Sequence, residues 1–330
     1  MNIVYKGIYS DDIREFIDIK RRCGFKYRTE GMILHIFDKL TVERGEKVVG
    51  ISNELAQLWS KKRDNESDAY RYKRCITLNQ FALYLSQNGK PSAMSHVPKP
   101  KNNFVPYIYT IEETDKILIA SDKMKCTPIK VDSIRFIVPA LLRFLIGTGV
   151  RVGEALDILD EDMNLERNLF ILRDTKNGKE RLLPFTDSLK EVLAQYKRHR
   201  MRLVPCPKSP HFFLSARGRK CTGEQVYKVF RHLLEEAGIP FKGKHNGPYV
   251  HHLRHTFAVR SLLQMVKNGM DMYCSLPILS TYLGHQSIEA TNNYVRLTTE
   301  IYPELMSDID QNLLVNVFPC LKNDDAYEDD

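Results

Sequence analysis

The sequence predicts a mainly α fold of the α+β type: a helical bundle at the N-terminus, followed by a mixed domain with a small β-hairpin or sheet. Three observations predict it. Residues 10–90 repeat apolar side chains at three- and four-residue spacing, the period of an amphipathic helix. Residues 90–106, KPSAMSHVPKPKNNFVP, hold four prolines and three lysines. Proline restrains its own backbone and that of the residue before it toward extended conformations, so this stretch reads as a linker. Residues 169–185 place two short apolar runs, LFILR and RLLPF, around the polar turn DTKNGKE, which reads as a hairpin.

The first module is built from DDIREFIDIKRRCGF, TEGMILHIFDKLTVERG, ISNELAQLWSKKRDNES and YRYKRCITLNQFALYLSQNG, punctuated by glycines 24, 45, 50 and 89. Four or five helices are expected in residues 1–98, with the linker at 99–106. The second domain is expected over 107–318, with an acidic tail at 319–330. Thr110 and Glu113 have capping-box spacing at the head of TIEETDKILIASD, and Thr222 and Gln225 repeat it. SIRFIVPALLRFLIGTG reads as a helix buried on most sides, and a new helix begins near Arg151. Further helices are expected at 187–203, 222–237 and 251–268. One helix should end at Leu283–Gly284 with a left-handed glycine cap, and another should start at Ser287. An amphipathic segment at 300–318 carries Ile301, Leu305, Ile309, Leu313 and Val317 on one stripe.

The chain has 330 residues, 43% apolar and 27% charged, which suits about two soluble domains. That composition argues against a disordered, collagen-like or membrane-embedded chain. No run of 18 apolar residues is present, and MNIVYKGIYSDDIREF lacks the apolar core of a secretion signal. The seven cysteines are scattered without a CxxC pair, as expected for free thiols in a reducing cytoplasm. Net charge is +8, unevenly spread. Residues 1–299 carry 48 Lys and Arg against 32 acids, whereas 300–330 carry one Lys against nine acids. A body this basic suggests a polyanionic partner. Lys61, Lys62, Arg63, Arg71, Lys73 and Arg74, interleaved with Tyr70 and Tyr72, fit either a DNA groove or a solvated helix face.

The residues that carry chemistry are individually weak signals. Arg151 opens a helix after a glycine turn, where a guanidinium can fork onto a phosphate. His251 and Arg254 lie three apart and share a helix face, with His255 four beyond His251. His285 follows a helix-ending glycine, Tyr294 suits a core aromatic, and Lys176 sits in a polar hairpin turn. His251, His252 and His255 lack an Asp, Glu or Cys to complete a metal set. There is no GxxxxGK[ST] loop, no GxGxxG after a strand and no HExxH, so no nucleotide or metal cofactor is called for.

In order along the chain, GTGVRVGEAL, TKNGKERLLPF, HHLRHTFA and LGHQSIEATNNYV closely resemble the signature boxes of the tyrosine recombinase (phage integrase) family, in its Xer-like and transposon-integrase-like branches. The resemblance covers about 107–297. It implies a catalytic set of Arg151, Lys176, His251, Arg254, His285 and Tyr294, the last as nucleophile. It also implies that the N-terminal module is a SAM-like core-site DNA-binding domain. The implied reaction is attack of Tyr294 on a DNA phosphodiester to give a 3′-phosphotyrosyl bond and a free 5′-hydroxyl, later reversed by a 5′-hydroxyl from a second duplex. No cofactor is needed because bond energy is kept in the phosphotyrosine.

Within that scheme Arg151 and Arg254 clamp the phosphate, His251 activates Tyr294, Lys176 protonates the leaving oxygen and His285 donates to the phosphate. The implied partner is double-stranded DNA, bound by four protomers on two sites, with a sister recombinase or an accessory DNA-bending protein and no membrane. The setting is the cytoplasm, at the nucleoid. Two other readings share these residues: a type IB topoisomerase-like enzyme that relaxes supercoils, and a DNA-binding protein whose catalytic set is idle.

Overall fold

A computed structural model describes residues 3–100, 105–124, 134–173, 180–241, 247–285, 291 and 294. The chain divides into two compact units, Met1–Phe104 and Val105–Asp330.

The first unit is helical. Helices α1 (Ser10–Arg22), α2 (Arg28–Arg44), α3 (Asn53–Ser60) and α4 (Asp68–Gln87) follow the apolar periods. Ser52 and Ser67 cap α3 and α4 by accepting the amides of Leu55 and Tyr70. The core is aromatic: Tyr9, Phe16, Phe37, Trp59 and Phe81 are buried together, with Phe37 edge-on to Trp59 at 5.3 Å.

The expectation that Arg74 belongs to an exposed basic face is corrected here. Arg74 is 0% exposed. Its guanidinium donates to both Glu66 carboxylate oxygens (2.6 and 2.8 Å), to the Lys61 carbonyl (2.8 Å) and to the Trp59 carbonyl. Position in the helical period does not reveal this, because the partner lies on the preceding loop. The neighbouring cations are also engaged. Arg71 donates to the Ser60 carbonyl at 2.7 Å, Lys62 pairs with Asp68, Lys73 pairs with Glu30, and Arg63 lies over the Trp59 ring.

The second unit mixes helices with a small sheet. Helix α5 (Ile111–Asp122) starts in the Thr110–Glu113 capping box, with both reciprocal bonds formed. Helix α6 (Val138–Thr148) buries Leu141, Phe144 and Leu145 and packs against α5, α8 (Asp187–Leu203) and α10 (His252–Lys267). Helix α7 (Val152–Asp157) is a short continuation beyond the Gly149 turn. Strands β2 (Leu169–Leu172) and β3 (Arg181–Pro184) form the expected antiparallel pair, in register Phe170 to Leu183 and Leu172 to Arg181. A third strand, β1 (Met163–Asn164), pairs with β2; two residues are too few to show alternation in a sequence. Helix α9 (Gly223–Glu236) begins in the Thr222–Gln225 capping box, and α11 (Met272–Leu283) packs on α10. The helix expected at Ser287, the 300–318 segment and the acidic tail lie outside the described residues.

Candidate active site

Two glycine turns place the arginines. Gly149 caps α6 in the left-handed conformation (φ 62°), which an L side chain rarely adopts. A Cβ there would stand 2.2 Å from the Phe257 ring of α10, so only glycine lets α10 approach this closely. Its carbonyl accepts Arg254 Nη1 at 2.9 Å. Gly284 ends α11 in the same conformation (φ 66°), and the preceding Leu283 carbonyl accepts Arg254 Nη2 at 2.6 Å. Arg254 is 3% exposed, and its guanidinium also hydrogen-bonds the Tyr294 hydroxyl. These partners are all neutral. Burial, reinforced by nearby Arg151, pulls its pKa down to about 10, yet it stays charged near neutral pH. A buried cation without a contacting carboxylate is costly, and an incoming anion relieves that cost.

Arg151 sits at the N-cap of α7 and is held differently. Its Nη1 pairs with Glu154 at 2.7 Å, and its backbone amide donates to the other Glu154 oxygen at 3.1 Å. Glu154 is shared, since Arg181 of β3 reaches it at 3.1 Å. Arg181 also donates to the Tyr282 carbonyl at 2.6 Å, tying the sheet to the end of α11. It fits beneath Gly284, where a Cβ would come within 2.5 Å of its Cζ. Burial opposes the Glu154 charge, but the two arginines and the Arg151 amide outweigh it and hold the carboxyl below its ordinary range. Two guanidinium groups therefore share one carboxylate here while the third, Arg254, contacts none among the described residues, and the site keeps a cationic excess.

The remaining groups converge on Tyr294, which is 3% exposed. Burial raises its pKa, while Arg254 and Arg151 pull the other way. Its hydroxyl lies 3.0 Å from His255 Nδ1. The His285 ring is stacked over the phenol ring, centroids 5.9 Å apart and planes 23° apart, and His285 Nδ1 meets the Thr291 hydroxyl at 2.8 Å. His251 is exposed at the N-cap of α10 and edge-on to His255, ring centroids 5.1 Å apart. His252 is buried and stacks on Tyr249 at 4.2 Å. Burial drives His252 and His285 down to about 4 and His255 to about 3, so all three are neutral at physiological pH.

The structure thus brings Arg151, Arg254, His285 and Tyr294 together, with His251 at the edge of the group. Lys176, which follows β2 and precedes β3 in the chain, lies outside the described residues. Glu154 and Arg181 were not singled out from the sequence, and His255 was noted there without a role. Glu154 stands three residues after Arg151 on one helix face, a signal that was available. Arg181 shares its strand face with buried Leu183, and a charge on an inward register is itself a signal.

A phenol held among cations is an arrangement suited to attack on a phosphate diester. The chain belongs to the phage integrase family, whose description matches residues 109–300. It is similar to the integrase/recombinase y4rB of Sinorhizobium fredii, 28% identical over 91% of this chain and 96% of that one. It is also similar to the tyrosine recombinase XerD of Listeria innocua, 30% identical over 67% of this chain and 69% of that one. Among solved structures it shares the fold of the XerH site-specific recombinase bound to palindromic difH substrate in a post-cleavage complex. That match has a TM-score of 0.61 at 22% identity and covers 84% of this chain and 78% of that one. The protein is a site-specific DNA recombinase of the tyrosine type, and nothing in these likenesses favours a topoisomerase.

Proposed function

We propose that Tyr294 is the nucleophile, that Arg151 and Arg254 hold the scissile phosphate of double-stranded DNA, and that Lys176, His251 and His285 complete the set. The observation that carries this reading is the buried Arg254 guanidinium, bonded among the described residues to neutral oxygens and touching the Tyr294 hydroxyl. A phosphate placed there meets two guanidinium forks as charge builds on its non-bridging oxygens. Attack by the Tyr294 oxygen forms the O–P bond and breaks the bond from phosphorus to the 5′-oxygen. The phenol's proton passes to a histidine of α10, and the departing 5′-oxygen takes a proton from Lys176. A 5′-hydroxyl from a second duplex reverses these steps. Four copies on two DNA sites, in the cytoplasm, are the assembly that strand exchange requires; a sister recombinase or a DNA-bending protein fits the same scheme.

The test is covalent trapping. Wild-type protein is incubated with a randomised library of nicked duplexes, and DNA that stays attached after denaturation is recovered. Wild type should yield an adduct through Tyr294, and Tyr294→Phe should yield none while still binding the recovered duplex. An adduct of normal yield from Tyr294→Phe would show that the nucleophile is misassigned.

A further inference from the structure

We infer that His255, rather than His251, is the base that takes the hydroxyl proton of Tyr294 as its oxygen attacks phosphorus; this rests on the reading of Tyr294 as nucleophile. The geometry carries it. His255 Nδ1 stands 3.0 Å from the Tyr294 oxygen, within the range for proton transfer. On the same oxygen, the Arg254 guanidinium is a donor. The phenol oxygen thus accepts from a cation while its proton faces an imidazole nitrogen, the arrangement that raises the nucleophilicity of a weakly acidic hydroxyl.

For Nδ1 to accept, the neutral His255 ring must carry its proton on Nε2. Burial, with the charges of His251, His252, Arg254 and His285, keeps the His255 ring neutral without DNA, so its Nδ1 lone pair is open to a proton. The same causes make it a weak base until a phosphate binds. A phosphate in the site adds negative charge that favours the imidazolium formed in the reaction. The step balances. The Tyr294 O–H bond breaks, its electron pair forms the O–P bond, the proton bonds to His255 Nδ1, and the P–O5′ pair leaves with the 5′-oxygen. The reverse reaction returns the proton from Nδ1 to the phenol. His251, exposed at the N-cap of α10, is left to meet the phosphate.

Two measurements test this. The first uses wild-type protein with 15N-labelled histidine, without DNA. The His255 signals should report an Nε2–H tautomer whose Nδ1 shift moves on Tyr294→Phe. An Nδ1–H tautomer, or no change on Tyr294→Phe, overturns the proposal. The second measures single-turnover adduct formation on the duplex recovered by trapping. In His255→Asn the amide oxygen stands near the place of Nδ1 but cannot take the proton. Its rate should fall by about 10²-fold or more at pH 7 and climb with pH as hydroxide substitutes for the base. A bridging 5′-phosphorothiolate, whose leaving sulfur needs no proton, should rescue Lys176→Ala but not His255→Asn. Rescue of His255→Asn, or a rate within threefold of wild type, overturns the assignment. So does the base-deficient profile appearing in His251→Asn instead. An adduct lost in Tyr294→Phe but unchanged in His255→Asn would sink this inference and leave the nucleophile standing, whereas no wild-type adduct would sink both.

Discussion

Replacing Glu154 by Gln removes the carboxylate that two arginines share, and the structure sets the size of the effect. Its side chain is 7% exposed, and its oxygens lie 2.7 Å from Arg151 and 3.1 Å from Arg181. Removing one partner of a buried pair costs about 3–5 kcal/mol, mostly by leaving the other charge desolvated. Arg151 is 27% exposed and can turn to water, but Arg181 is only 10% exposed and, among the described residues, is left with the Tyr282 carbonyl. The glutamine oxygen still accepts one hydrogen bond. The lower end, about 3 kcal/mol, is therefore expected, which lowers the melting temperature of a unit this size by roughly 6–12 °C.

The assay is thermal unfolding of wild type and Glu154→Gln followed by far-UV circular dichroism, repeated across pH. Because the folded-state pKa of Glu154 lies below the unfolded value of 4.5, its stabilisation is fully present above that value. It is lost as pH falls through the folded pKa. The difference between the two proteins should hold from pH 7 to 5 and shrink below 4.5. A melting difference under 2 °C at pH 7, or one that grows on acidification, refutes the shared-carboxylate argument.

Gly149→Ala should destabilise the protein by about 2–4 kcal/mol, combining left-handed backbone strain with a clash against the Phe257 ring; urea unfolding measures it, and a cost below 1 kcal/mol would contradict the close approach of α10. It should also slow adduct formation, since the Gly149 carbonyl orients Arg254. Stability should fall with acid in wild type, because His252, His255 and His285 have folded-state pKa values of about 4, 3 and 4 against an ordinary 6.5. Their contribution is complete above pH 6.5 and drains away as pH drops toward the folded values, at up to about 1.4 kcal/mol per pH unit for each. Equal urea midpoints at pH 7 and pH 5 would count against it.

The helices were legible in the sequence because their apolar period and caps are local. Thr110 with Glu113 and Thr222 with Gln225 mark helix starts within four residues, and both boxes form. The hairpin was legible from its two apolar runs, whereas β1 was not, since its partner supplies the only evidence for it. Within the site, Arg151, Lys176, His251, Arg254, His285 and Tyr294 are each weak signals alone, and it was the resemblance of four strings to one family's signature boxes that singled them out. His251 and His255 share one helix face, so spacing alone did not say which imidazole meets the phenol. The contact is made 39 residues further along the chain. Arg181 reaches the Tyr282 carbonyl across 101 residues, and no local pattern encodes that.

Arg74 and Arg254 show what separates an arginine that builds a fold from one that builds a site. Both are buried on a helix, at 0% and 3% exposure. Arg74 meets a carboxylate with two bonds, so its charge is neutralised within its own unit. Arg254 meets two carbonyls and a phenol, so its charge is solvated by dipoles but not cancelled. Burying an uncancelled charge is unfavourable by itself and is tolerated where the surrounding structure fixes it. An Arg254→Met variant, similar in length and without charge, should therefore fold as stably as wild type or more so while losing adduct formation by orders of magnitude. Truncating Arg74 to Met strands the Glu66 carboxylate and should destabilise its unit. If both substitutions cost the same stability and both left cleavage intact, the division between the two arginines would be wrong.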